Sequence, residues 1–223
     1  MALNGTVYML LPVLAFLWLR RYRAARVYPA VTGAVIYFVT TKLSDLLAHL
    51  VGFSADYGTK AAIASEIVCV FEEAGRYLAM RYPVTDIRKQ NAAFCYGIGH
   101  GGLECWIRGV QTLSLIGSAE KAAPLALLDA AESTVLFCVQ IAFSLLIFRR
   151  IQEGFPAWRA MLPAVLLHYA VNGSGWLISF TGNAYLSAVT GIAAGLAVIF
   201  AADRIADLRG SLREMLYPLD DET

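Results

Sequence analysis

Hydrophobic residues run along this chain in stretches too long for strands and unbroken enough to cross a bilayer, for which about 20 residues of helix suffice. Seven such stretches are legible: Ala2–Leu19, Pro29–Phe53, Ala61–Tyr82, Ala92–Ile116, Ala122–Phe148, Ala160–Thr181 and Ala184–Ala202. Polar residues gather in the gaps between them, and no gap is long enough to hold a soluble domain. The pattern predicts an all-α, polytopic membrane protein, a bundle of seven transmembrane helices making one domain over residues 1–223. No internal repeat, low-complexity tract or β-barrel alternation is visible.

Composition agrees. The chain is 58% hydrophobic and 16% charged, where a soluble domain carries about 25% charged residues. The basic residues then set the orientation. With seven spans, Arg20, Arg21, Arg23, Arg26, Arg81, Arg88, Lys89, Arg149, Arg150, Arg159, Arg204, Arg209 and Arg213 fall on one side, against Lys60 and Lys121 on the other. Lys and Arg stay on the cytoplasmic side during insertion, so the N-terminus is expected outside and the C-terminus in the cytoplasm of a cell membrane. In the first span the positive charges follow the apolar run instead of preceding it, which predicts a retained helix and not a cleaved signal. A net charge of +1 gives no reason to expect a nucleic-acid partner. Cys69, Cys95, Cys105 and Cys138 all lie in spans without a CxxC spacing and are expected to pack as small apolar residues.

The candidate chemistry lies in the polar residues within the spans. An ionisable side chain at mid-bilayer costs roughly 2.5–3.5 kcal/mol on insertion scales. This chain carries Lys42, Asp45, His49, Glu66, Glu72, Glu73, Arg76, His100, Glu104, Arg108, Asp129, Glu132, His168 and Asn172 there. A rise of about 1.5 Å per residue puts Glu72, His100 and His168 at one depth, roughly 12–13 Å from the cytoplasmic side, with Glu104 and Asn172 one turn further. Glu72 with Arg76, His100 with Glu104, and His168 with Asn172 each share a helix face. Gly97, Gly99, Gly101 and Gly102 flank His100. Inside an apolar span such glycines let neighbouring helices approach, which is expected to bring His100 within reach of the third and sixth helices. Lys42, Asp45, Glu66, Arg108 and Glu132 form a second layer about 7–13 Å further out. That layer is expected to be a structural ion-pair network, so that Arg108→Met lowers stability more than Arg76→Met.

Phe71-Glu72-Glu73-Ala74-Gly75-Arg76, then Tyr96-Gly97-Ile98-Gly99-His100 with Glu104, then His168-Tyr169-Ala170-Val171-Asn172 resemble the three motifs of glutamic intramembrane proteases. These form the CPBP superfamily, which includes the type II CAAX prenyl endopeptidases; the glycine-rich stretch and the EExxR form are most similar to its bacterial YhfC-like branch. The chain departs from the prenyl endopeptidases in having EExxR for EExxxR, Tyr96 where Phe is usual, and seven helices for eight. The resemblance implies peptide-bond hydrolysis without a cofactor or metal, acting on a membrane-embedded or lipid-associated peptide or protein. It implies that Glu72 and His100 hold and deprotonate a water, and that His168 and Asn172 donate to the oxyanion. Arg76 would pair with a carboxylate, Glu73 would support the site, and Glu104 would orient His100 or a neighbouring base.

Three other readings remain open on the residues alone. A zinc hydrolase can use two histidines and a carboxylate, although neither HExxH nor HxxxH is present. A non-catalytic scaffold would keep the same polar pairs to fix helix orientation. A transporter usually shows repeats or interrupted helices at mid-membrane.

Overall fold

A computed structural model describes residues 2–23, 26–51, 57–82, 90–114 and 123–216. Among these there are eight α-helices and no strand: α1 (Ala2–Arg23), α2 (Val27–Val51), α3 (Tyr57–Arg81), α4 (Gln90–Ser114), α5 (Ala123–Gln152), α6 (Ala157–Thr181), α7 (Ala184–Ala206) and α8 (Leu208–Leu216). The first seven coincide with the seven apolar stretches to within a few residues. Phe53, Ile116, Lys121 and Ala122, at the edges of those stretches, lie outside the described residues. Among the described residues, three helical segments are apolar enough by length and composition to cross a membrane: Val27–Leu50, Pro124–Gln152 and Ala184–Ala206. Helices α1, α3, α4 and α6 fall short of that apolarity, and in α3 and α4 ionisable residues concentrate.

Helix α8 is not legible from apolar runs, because it is nine residues long and its apolar residues alternate with polar ones. Its start is fixed locally. Asp207 takes a left-handed conformation at φ 45° and closes α7 by donating its N–H to the Asp203 carbonyl. The Asp207 carboxylate then accepts from the Gly210 N–H at 3.1 Å, capping the first turn of α8. Leu208 and Ser211 are buried against the other helices.

Helix α5 forms the spine of the packing. Ile141 through Phe148 are buried at every position, as expected of a helix surrounded by others. Around it, α4 packs against α1, α2 and α5, and the glycines of the His100 segment explain how. A Cβ on Gly99 would run into the Ala30 carbonyl of α2, and one on Gly97 would lie 2.7 Å from the Ile141 Cα of α5. A Cβ on Gly101 would lie 2.8 Å from the Gln140 Cβ, and one on Gly102 3.0 Å from the Pro12 Cβ of α1. The expected close approach is therefore present, but the helices admitted are α1, α2 and α5. Between α4 and α3 the contacts include His100 with Glu72 and the Tyr96 ring with the Arg76 guanidinium.

Gly99→Ala is expected to lower the melting temperature in detergent sharply, because the obstacle is backbone and cannot rotate away. Gly173→Ala, where the added Cβ meets nothing within 4 Å, should leave the melt unchanged or raise it slightly, since alanine favours helix by up to about 1 kcal/mol. Equal melts for the two variants would show that the α2–α4 contact does not limit stability.

Candidate active site

Consecutive residues on α3 serve two different histidines. Glu72 reaches α4, where its Oε2 lies 3.2 Å from His100 Nε2. Glu73 reaches α6, where its Oε1 accepts from His168 Nδ1 at 2.8 Å. The two rings meet again at Glu72, whose Oε2 is 3.9 Å from His168 Nε2. Glu72, Glu73, Arg76, His100 and His168 are all buried, so a carboxylate and two imidazole nitrogens share one point walled off from the surroundings.

Aromatic rings hold the imidazoles in place. The Tyr37 ring meets His100 edge-on at 5.1 Å, and the Tyr96 ring stacks on it at 5.9 Å. Phe143 lies 5.2 Å from the His168 ring. The His100 Nδ1 and the Tyr96 hydroxyl, both buried, have no hydrogen-bond partner among the described residues.

Arg76 anchors the arrangement, and the carboxylate it pairs with is Glu73. Its face-mate Glu72 turns to His100, and Arg76 instead pairs with Glu73, Nε to Oε2 at 2.9 Å and Nη2 to Oε1 at 3.4 Å. The remaining donors go to α5. Nη1 donates to the Gln140 carbonyl at 2.8 Å and to Ser144 Oγ at 2.6 Å, and Nη2 donates to Gln140 Oε1 at 2.5 Å. The four Nη N–H groups thus have acceptors, while Nε meets Glu73 Oε2 as an ion pair without hydrogen-bond geometry. With Arg76 on one side, Glu73 is an acceptor toward His168, which puts a proton on Nδ1 and turns Nε2 toward Glu72.

The remaining expected site residues lie further out. Glu104 does not touch His100. It binds Arg108 Nη2 at 2.7 Å and accepts from Gln140 Nε2 at 2.9 Å. Asn172 donates to Cys69 Sγ at 3.3 Å, one turn along α3 from Glu72.

The residues of the expected outer layer have neighbours at several places in the bundle. Lys42 and Asp45 pair locally at 3.0 Å on the exposed face of α2. Glu66 accepts from the Tyr169 hydroxyl at 3.4 Å, Glu132 lies against Gly191 of α7, and Arg108 reaches back to Glu104. Helical rise gave the depths but not the azimuths, and the azimuths send these groups to different neighbours.

Sequence reading passed over Gln140, Ser144, Tyr37 and Phe143. A signal for the first two was present: Gln140 and Ser144 are one turn apart in the otherwise apolar run from Phe137 to Phe148. A two-residue polar stripe in a buried helix faces a polar partner.

Residues 7–124 match the family described as YhfC intramembrane metalloprotease. The chain belongs to that family. The matched region holds Glu72, Glu73, Arg76, His100 and Glu104 and ends before Gln140, His168 and Asn172. The chain is also 31% identical over 126 residues to the uncharacterized membrane protein YhfC of Bacillus subtilis (strain 168). That alignment covers 52% of this chain and 49% of the relative, so the chain spans about half the length of the curated relative it matches. No solved structure matches. The apolar helices and the relative together mark a membrane protein.

The family description implies a metal ion, and the donors here are right in kind: two imidazole Nε2 atoms and a carboxylate, with His168 Nδ1 backed by Glu73 as a metal-bound histidine usually is. Their arrangement does not fit. Among the described residues no group of three His, Cys, Asp or Glu is arranged to hold a metal ion. Glu72 instead lies at hydrogen-bond distance from His100, and the outer nitrogen of His100 lacks the carboxylate or carbonyl that orients a metal ligand.

Proposed function

We propose that this chain is an intramembrane protease of glutamic type, a member of the CPBP superfamily, that hydrolyses a peptide bond in a membrane-embedded or lipid-associated substrate. The observation that carries this reading is the buried convergence of Glu72 Oε2 with His100 Nε2 at 3.2 Å and His168 Nε2 at 3.9 Å. Amide hydrolysis needs a base for the attacking water, a donor for the oxyanion and a proton for the leaving amine. Glu72, assisted by His100, takes the proton of the water and returns it to the amine. His168, protonated on both nitrogens, keeps its Nδ1–H on Glu73 and donates its Nε2–H to the developing oxyanion. Asn172 joins it as oxyanion donor once its amide leaves the weak contact with Cys69. Glu73, Arg76 and Glu104 support these groups, and no cofactor takes part.

The protein is read as a multi-pass bundle of seven spans with the N-terminus outside. In a background free of native cysteines, an impermeant thiol reagent on intact cells is expected to label a cysteine at position 118 and not one at position 90. Labelling at position 90 alone would reverse the orientation.

The substrate is reached by comparing membrane proteomes of cells carrying the native chain and Glu72→Gln. A fragment pair present only with the native chain is the expected result, and identical proteomes would count against proteolysis. What favours the metal reading is the same convergence of two Nε2 atoms on one carboxylate, so metal content belongs in the same experiment. One zinc per chain, lost in His100→Ala, would replace the glutamic mechanism with a metal-dependent one.

A further inference from the structure

The side chain of Gln140 has one amide and two oppositely charged neighbours. Its Oε1 accepts from Arg76 Nη2, and its Nε2 donates to Glu104 Oε2 at 2.9 Å. The residue is 5% exposed, so neither end has water as a substitute partner. A guanidinium on one side and a carboxylate on the other leave the amide one orientation. They also leave the position one suitable chemistry, a group that accepts at one end and donates at the other.

The connection continues in both directions. Toward α6 it runs from Arg76 through Glu73 to His168 Nδ1. Toward the surface it runs from Glu104 to Arg108. Ser144 completes the α5 side by accepting from Arg76 Nη1 and donating to the Gln140 carbonyl at 2.8 Å. Helix α5 thereby fixes the plane of the Arg76 guanidinium, the guanidinium fixes the Glu73 carboxylate, and the carboxylate fixes the ring and the protonated nitrogen of His168.

We propose that Gln140 is a positioning residue for His168, acting through Arg76 and Glu73, and that it does so by matching an acceptor to Arg76 and a donor to Glu104. Its catalytic consequence rests on the protease reading; its structural consequence for the His168 ring does not. Gln140→Glu keeps the size and the acceptor for Arg76 but sets a second carboxylate against Glu104. Glu104→Gln keeps an acceptor for Arg108 and offers an amide donor in place of the carboxylate. Each single change breaks the pattern. Gln140→Glu combined with Glu104→Gln restores it with the polarity of the link reversed and the total charge unchanged.

The first measurement is independent of activity. The chain has three histidines, so ¹⁵N-histidine spectra in nanodiscs can be assigned by single His→Ala changes. The native protein should show one His168 signal set with a protonated Nδ1. Gln140→Glu should lose that Nδ1–H correlation or split it, with His49 unchanged, and the double variant should recover it. The second measurement is cleavage of a quenched-fluorescence peptide spanning the site that the proteome comparison returns. Gln140→Glu should lower kcat at least tenfold with KM within about twofold, and the double variant should return to within about threefold of the native rate.

A native-like His168 signal in Gln140→Glu would overturn the proposal. So would a double variant that folds yet is no better than the worse single variant in both measurements, because independent sites add and coupled ones do not. If the singles fail to fold, recovery of a folded, native-like His168 in the double variant still supports the coupling. A native protein that cleaves nothing, with the His168 signals behaving as expected, would remove the protease reading and leave the positioning role standing.

Discussion

Glu72→Gln should abolish cleavage while leaving the protein inserted and folded. The substitution keeps the volume of a buried side chain and a carbonyl that still accepts from His100, 3.2 Å away. It removes only the capacity to take and return a proton, a contribution worth roughly 10²–10⁴-fold in rate. His100→Ala should fall into the same activity range with a larger loss of stability, because the ring is fully buried between Tyr37 and Tyr96 and truncation leaves a cavity. His168→Ala removes the acceptor-facing Nε2 and strands Glu73 without its 2.8 Å partner. Rates on the cleavage-site peptide, read beside melting curves for each variant, separate chemistry from folding. Full activity in Glu72→Gln would remove the glutamic mechanism. Retained activity in His168→Ala would confine the reacting centre to α3 and α4.

Helix positions and the depth of the polar layer were legible in the sequence because both follow from distance along the chain. A bilayer-length apolar run and a fixed rise per residue need no tertiary information. Partner choice was not legible, because it depends on where each helix sits around its neighbours. Arg76 shares a face with Glu72, yet its partner is Glu73, since α5 approaches from the other side and brings Gln140 and Ser144. Glu104 shares a face with His100, yet it turns outward to Arg108 and Gln140. The glycines around His100 announced close packing without saying which helices would use it. Gln140 itself does not announce its partners, because an uncharged amide between two charges is silent until both are placed.

Arg76→Met should be among the most destabilising single changes in the protein, and clearly more so than Arg108→Met. This reverses the expectation from the two polar layers, and burial decides it. Arg76 is fully buried, with both Nη groups hydrogen-bonded and Nε ion-paired to Glu73, whereas the Arg108 side chain is 47% exposed beside a Glu104 that is itself 16% exposed. Removing one member of a buried ion pair costs about 3–5 kcal/mol, because the other charge stays buried without compensation. In Arg76→Met that charge is Glu73, and Gln140 Oε1 and Ser144 Oγ lose their donor at the same time. Arg108 lies within two turns of the end of α4, where a long side chain reaches headgroup water. An exposed pair there is worth about 0–1 kcal/mol, and Glu104 keeps its bond from Gln140 when Arg108 is replaced. Melts in one detergent should therefore show a large loss for Arg76→Met and a small one for Arg108→Met. Arg76→Lys should recover little, since a single ammonium cannot reach Glu73 and the three acceptors of α5 together. Equal melting temperatures for Arg76→Met and Arg108→Met would mean that the buried pair contributes specificity of orientation and no stability. The His168 signal, disordered in Arg76→Met and native-like in Arg108→Met, would then be where its effect appears.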